Sequence, residues 1–412
     1  MRLLRSLGSL LAIVYLGVAC GSPPRQIALP ASSKLVTSDG KENDHFGISV
    51  SLDGARAIVG AHGADDRGNQ AGAAYVFARA GEGWKQEAKL VAYDGGNNKQ
   101  FGVSVHLDGD RAIVGSRGDV ESGKQSGAAH IFTRRKVGWR EEQKLFATGR
   151  SKDDRFGTTV RLSGDVAIVG AEGDSQLGSK SGAAYIYRLV KDQRWSVDAV
   201  LRPPDSAPFD YYGNSVSVQG DRAAVGARGD DDEGKDSGSV YLYRYTEDGW
   251  TMEQKLSPAD GCRDGAFGSA VCLDGKRLLV GAYGDNDQGK RSGSAYVYGW
   301  DGKRWRFEEK LKAPDGTATD QFGRSLAMDG DRIIVGAHGD QVGGSRRAGS
   351  AYVFKRSGTS WIPSAKLTAG RLTSMADFGR SVDILGEAVM VGAPGDPEQG
   401  AWSGGAYIFA GK

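Results

Sequence analysis

The residues of this sequence best suited to do chemistry are pairs of carboxylates one residue apart, each followed by a glycine. They are Asp119-x-Glu121-x-Gly123, Asp230-x-Asp232-x-Gly234, Asp285-x-Asp287-x-Gly289 and Asp396-x-Glu398-x-Gly400. Hard oxygen donors at alternate positions before a glycine turn are what a calcium loop offers, and Asp230, Asp232, Asp285 and Asp287 are the two all-aspartate candidates. A plainer use of the same pattern is an Asp that accepts from the backbone N–H two residues on and fixes a turn. The plainer use is preferred, because Asp174 and Asp340 open the same loop without a second carboxylate and the ligand count is low. No cofactor is expected, with calcium as the one alternative.

Other strings are weaker. Gly118 to Lys124, Gly229 to Lys235 and Gly284 to Lys290 match a phosphate loop as far as the lysine, but Gln125, Asp236 and Arg291 follow where a magnesium-binding Ser or Thr is required. There is no His-Glu-x-x-His, no Gly-x-Ser-x-Gly, and no cluster of cysteine and histidine at zinc spacing. The five histidines are His45, His62, His106, His130 and His338, and only His62 and His338, in loops near carboxylates, could serve an enzyme. The expectation is therefore a non-enzymatic protein. The alternative is an enzyme, or a metal-dependent sugar-binding protein.

The elements that carry these loops recur at a fixed period. Phe-Gly opens a unit at Phe46, Phe101, Phe156, Phe267, Phe322 and Phe378, and Tyr212-Gly213 takes the fourth place. After the pair come alternating apolar residues such as Phe101, Val103, Val105 and Leu107, the period of a half-buried strand. Asp108-Gly109 and its equivalents then make a hairpin. A second strand follows, then the carboxylate loop, then a third strand and a fourth that ends in Leu. Such four-stranded units cannot bury both faces alone, so the sequence predicts an all-β, seven-bladed propeller of antiparallel blades. The seventh unit stops after its third strand, whereas Lys34-Leu35 stands 11 residues before Phe46 with no unit in front of it. The N-terminal strand is therefore expected to complete the last blade, which closes a propeller spanning residues 29–410. The 63 glycines fit this pattern of turns, being far in excess of the usual ~7%.

Seven in-phase copies resemble the FG-GAP repeat family, known from the propeller at the head of integrin alpha subunits and from bacterial surface proteins. The later Gly-Ala element of that family is present as Gly60-Ala61, Gly170-Ala171, Gly226-Ala227, Gly281-Ala282, Gly336-Ala337 and Gly392-Ala393. The long calcium loop that integrin-type repeats place between the first two strands is here a two-residue hairpin, so those metal sites do not carry over. The resemblance implies that ligands are met on the face holding the loop between strands two and three and the link between blades. On that face the residue before the loop glycine is the most varied slot of the repeat: His62, Arg117, Glu172, Arg228, Tyr283, His338 and Pro394. These seven form the expected ligand-binding rim, for a protein or glycan that the sequence does not identify. Arg117-Gly118-Asp119 and Arg228-Gly229-Asp230 spell the tripeptide that integrins bind, but both arise where the varied slot happens to be Arg.

Residues 1–19 read as a signal peptide, with Arg2 and Arg5 ahead of the uncharged run Leu7 to Ala19. Leu16-Gly17-Val18-Ala19-Cys20 resembles a lipoprotein box with Cys20 as the lipidated residue, and residues 20–28 read as a tether. The expected location is the cell envelope, at the outer membrane, with the membrane touched only through the lipid. With 53 basic and 51 acidic residues, the chain has no overall electrostatic attraction for nucleic acid. A monomeric propeller is expected. A disulfide between Cys262 and Cys272 is disfavoured by their separation along a strand.

Overall fold

In a computed structural model of the protein, residues 27–28, 31–120, 125–191, 194–258, 260–261, 263–371 and 373–410 are described. The signal peptide, Cys20, Leu29, Glu121 and Cys262 lie outside them. Every regular element among the described residues is a strand. They form seven antiparallel sheets in which sequential strands are neighbours, and the first strands of consecutive blades touch around a full circle, the seventh against the first. The molecule is a seven-bladed propeller.

The ring closes as the repeat arithmetic requires. Ser33–Leu35 pairs antiparallel with Gly405–Ala410, Leu35 opposite Ala406, and supplies the missing fourth strand of blade 7. Two residues assigned to the tether do more than that. Ile27–Ala28 runs parallel to Ser360–Leu367 and adds a fifth strand to the outer edge of blade 6, so the folded part begins earlier than residue 29.

Burial follows the alternation of each strand. The opening Phe of each blade is buried between its own sheet and the preceding one: Phe101 packs with Ile58, Val76 and Leu90 of blade 1 and with Val114 and Phe132 of blade 2. It meets the third strand edge-on, as Phe101 meets Phe132 with ring centroids 5.9 Å apart, an arrangement worth about 0.5–1.5 kcal/mol beyond its buried area. The sheets approach so closely that some glycines are sterically required. A Cβ on Gly226 would lie 1.9 Å from the carbonyl oxygen of Gly268 in the next blade.

Candidate functional site

The carboxylate loops and the inter-blade links share one face, as expected: the amides of Gly96, Asn98 and Gln100 donate to the carbonyls of Arg67, Asn69 and Gln70. In six of the seven loops the first residue after the glycine is a buried Asp. One of its oxygens fixes the turn, accepting from the N–H two residues on at 3.2 Å for Asp230 and 2.9 Å for Asp285. In blades 3 to 7 the other oxygen faces a tyrosine of the third strand and a basic side chain. Asp230 Oδ2 accepts from Tyr241 Oη at 2.9 Å and pairs with Lys255 Nζ at 2.9 Å, while Lys255 also holds Asp205 at 2.8 Å and Asp232. Blade 5 repeats the arrangement with Tyr296, Lys310, Asp260, Asp285 and Asp287. In blade 3 Arg202 takes the lysine's part on Asp174, at 2.8 Å. In blade 7 the cation is Lys34, from the closing strand.

This arrangement bears on calcium. The sequence pairs Asp230 with Asp232 and Asp285 with Asp287, and the fold adds Asp205 and Asp260, so that each trio has ligand atoms within 4.8 Å of one another. An ammonium already lies among them in both blades. Calcium takes six to eight oxygens, and in each trio the ammonium competes for the same carboxylate oxygens. Asp119 and Asp230 of the two Arg-Gly-Asp strings are buried in the same way, at 0% and 3% exposure, so neither string is presented for recognition.

The varied slot lies elsewhere than a rim. His62, Arg117, Glu172, Arg228, Tyr283 and Pro394 turn inward and line an axial cavity of about 730 Å³, and His338 lines an adjoining one of about 560 Å³. His338 and Glu172 are 5% and 6% exposed, which solvated loop residues would not be. Arg117 Nε donates to Gln100 Oε1 at 2.6 Å, and Arg228 pairs with Glu172 at 2.6 Å while stacking on Tyr211. His45 stacks on His62 with centroids 5.0 Å apart.

A second set of residues enters the cavity from the chain just ahead of the innermost strands. Arg324 and Arg380, two residues after Phe322 and Phe378, face it, and Arg347 joins them from a loop. Arg324 stacks on Tyr283 at 4.8 Å, and Arg347 pairs with Asp377 at 2.9 Å. Among the described residues, Arg324 and Arg380 make no hydrogen bond or salt bridge through their side chains. Burial and the positive charges of Arg324, Arg117 and Arg347 pull Arg380 down to about 10, although Asp377 opposes them. Burial, followed by Arg380, Arg324 and Arg347, drives His338 to about 2, and burial with His45, Arg117 and Arg380 drives His62 to about 3.

A model of the FG-GAP repeat matches residues 31–77, 84–132, 139–187, 195–243, 250–298, 305–354 and 361–409, most of the chain. The chain belongs to the FG-GAP repeat family. Each matched unit of the FG-GAP propeller begins with the fourth strand of one blade and ends with the third strand of the next, an offset that stitches neighbouring blades together. No curated protein matches the sequence. Many solved structures share the fold, among them three that match most of this chain. A protein from Lactobacillus plantarum is 14% identical, with TM-score 0.53 and coverage of 81% of this chain and 87% of its own. The periplasmic gluconolactonase of Pseudomonas aeruginosa is 15% identical, with TM-score 0.51 and coverage of 79% and 86%. Sqt1 of Chaetomium thermophilum is 12% identical, with TM-score 0.51 and coverage of 89% and 83%.

Sequence reasoning missed Arg324 and Arg380 in this FG-GAP propeller because it extended the alternation through Val103 and its equivalents. The pairing slips between Phe101 and Ser104, and likewise between Tyr212 and Ser215 and between Phe267 and Ala270. A bulge of this kind re-aims a residue, and in blades 6 and 7 the ladder begins only at Ser325 and Ser381, one residue past Arg324 and Arg380. The signal was present, since the slot varies as widely as the loop slot: Ile48, Val103, Thr158, Asn214, Ser269, Arg324 and Arg380. Further along the same strands a ring of residues includes Ser51, His106, Ser217 and Asp383, each of which ties into the next blade: Leu107, Leu162, Leu273 and Leu52 donate their N–H to Ser51, His106, Ser217 and Asp383. Cys272 belongs to this ring as a free thiol that burial pushes up to about 11.

Proposed function

We propose that this FG-GAP protein is a rigid, non-enzymatic binding module that receives part of a protein or glycan ligand in its axial cavity. The observation that carries the reading is the inward convergence of the two slots that differ from blade to blade, the loop slot and the slot two residues after the opening Phe or Tyr. Positions repeated in every blade serve the fold. Those that vary form one concave, asymmetric surface, within the ~300–1,000 Å³ range of ligand sites.

Against catalysis stand the same side chains. His62 and His338 are held neutral far below the range a general base needs near neutral pH, and the thiol of Cys272 is held protonated. Likeness to a gluconolactonase at 15% identity speaks for the fold alone. No resident calcium is proposed, because a lysine occupies the acidic trios. The envelope, reached through the signal peptide and a lipid on Cys20, is the proposed location of a monomeric propeller; incorporation of labelled palmitate by the wild type and its loss in Cys20→Ser would test the anchor.

The binding reading is tested by affinity capture from envelope extract with full-length Cys20→Ser protein, compared with the same protein carrying Arg117→Ala, Arg228→Ala and Tyr283→Ala. Loss of the captured ligand in the triple variant is expected. Equal capture by both would refute the cavity as the binding surface.

A further inference from the structure

We propose that the axial cavity is an oxyanion site, in which Arg324 and Arg380 clamp a compact ligand group carrying two or more carboxylate, phosphate or sulfate charges. This deepens the binding reading above and rests on it.

The argument begins with charge placement. The whole chain carries only +2, yet the residues around the cavity include six guanidinium groups, those of Arg117, Arg161, Arg228, Arg324, Arg347 and Arg380, against the carboxylates of Glu172 and Asp377. Asp383, from the ring of the same strands, faces Arg161, which leaves an excess of three positive charges in one concavity of a protein that is otherwise balanced. Elsewhere the propeller pairs its half-buried cations thoroughly: Lys255 and Lys310 each hold three carboxylates. Arg324 and Arg380 have none, although their neighbours include further arginines.

Like charges enclosed together without counterions oppose folding, and a fold that needed only packing there would have apolar side chains instead. Arginine is also the cation suited to the task, since its planar fork meets carboxylate and phosphate two bonds at a time. Orphaned polar atoms lie on the same walls and next to them: His62 Nδ1 and Arg347 Nε in the cavity and His338 Nδ1 in the adjoining one have no partner among the described residues. The cavity is large enough for a group of the size of citrate or pyrophosphate and is open on the loop face, where the rest of a larger ligand could extend.

The test uses the full chain with Cys20→Ser, inorganic pyrophosphate as the phosphate probe and citrate as the carboxylate probe, titrated calorimetrically against a sodium chloride control of equal ionic strength. Binding of at least one probe with one-to-one stoichiometry is expected, with at least a tenfold loss in both Arg324→Gln and Arg380→Gln. Without a probe these variants should melt at or above the wild-type temperature, because a repulsion has been removed; a purely structural arginine would give the opposite. Should either variant fail to fold, Arg380→Lys keeps the charge without the fork and is expected to bind more weakly than wild type. The proposal is overturned if neither probe binds the wild type, or if the variants bind as the wild type does. If neither probe binds while envelope capture still depends on Arg117, Arg228 and Tyr283, the oxyanion site falls and the binding reading survives. If a probe binds but capture is indifferent to the cavity, the oxyanion site stands without that reading.

Discussion

Lys34 Nζ lies 3.0 Å from Asp396 Oδ2, so a residue near the start of the propeller completes the ion pair of its last blade. Lys255 and Lys310 make the same pair within their own blades, and only in blade 7 does it cross the seam.

Removal of residues 27–36 is therefore expected to destabilise the ring far more than removal of residues 1–26. With an unpaired edge and a broken latch, a fall of roughly 10 °C or more in melting temperature is expected for the first truncation and none for the second. Lys34→Ala alone should cost about 1 kcal/mol, since the pair is partly solvated and Tyr407 still holds Asp396. Thermal melts of the three proteins check this, and equal melting of the two truncations would sink the closure.

The lysine among the carboxylates predicts how the loops answer calcium. Wild-type protein should melt at the same temperature with millimolar calcium or with chelator. Lys255→Ala leaves Asp205, Asp230 and Asp232 facing one another, and calcium should restore about 1–3 kcal/mol of the stability lost. Calorimetric heat from calcium with the wild-type protein would contradict the assignment.

Two glycines of blade 4 should respond oppositely to substitution. Gly226→Ala drives a methyl group into the Gly268 carbonyl and is expected to cost on the order of 3 kcal/mol or more. Gly220 has φ +60° with open space around it, and Gly220→Asn should stay within about 1 kcal/mol. Guanidinium titrations compare the pair.

Histidine makes the propeller less stable in acid. His338 is depressed from 6.5 to about 2, so the unfolded chain takes up its proton first as pH falls below 6.5. The stability is present above that value and declines toward the folded one. At pH 5 the loss from His338 should be about 2 kcal/mol, absent in His338→Asn. Denaturation midpoints at pH 7 and pH 5 measure it, and parallel behaviour of the two proteins would refute it.

The architecture was legible because every blade repeats it: the Phe-Gly period, the hairpin and the unmatched Lys34-Leu35 together require a closed ring of seven. The site was legible only in part. His62, Arg117 and Glu172 stood out as varied, but a loop position does not say whether its side chain turns outward or toward the axis. Arg324 and Arg380 were hidden because the strand period of their blades begins only after them, at Ser325 and Ser381, and Asp205 and Asp260 lie in inter-blade links that only the folded chain brings to Lys255 and Lys310.

The position of the two N-terminal strands, Ile27–Ala28 and Ser33–Leu35, at the outer edges of blades 6 and 7 has a mechanical consequence. Tension applied ahead of residue 27 falls first on two parallel pairs at the edge of blade 6 and then on three antiparallel pairs at the edge of blade 7. Both sets can peel one bond at a time, so a pulled propeller yields at its seam while the other blades keep their shape. The ring has a designated weak point, and it faces the direction from which a tether would pull.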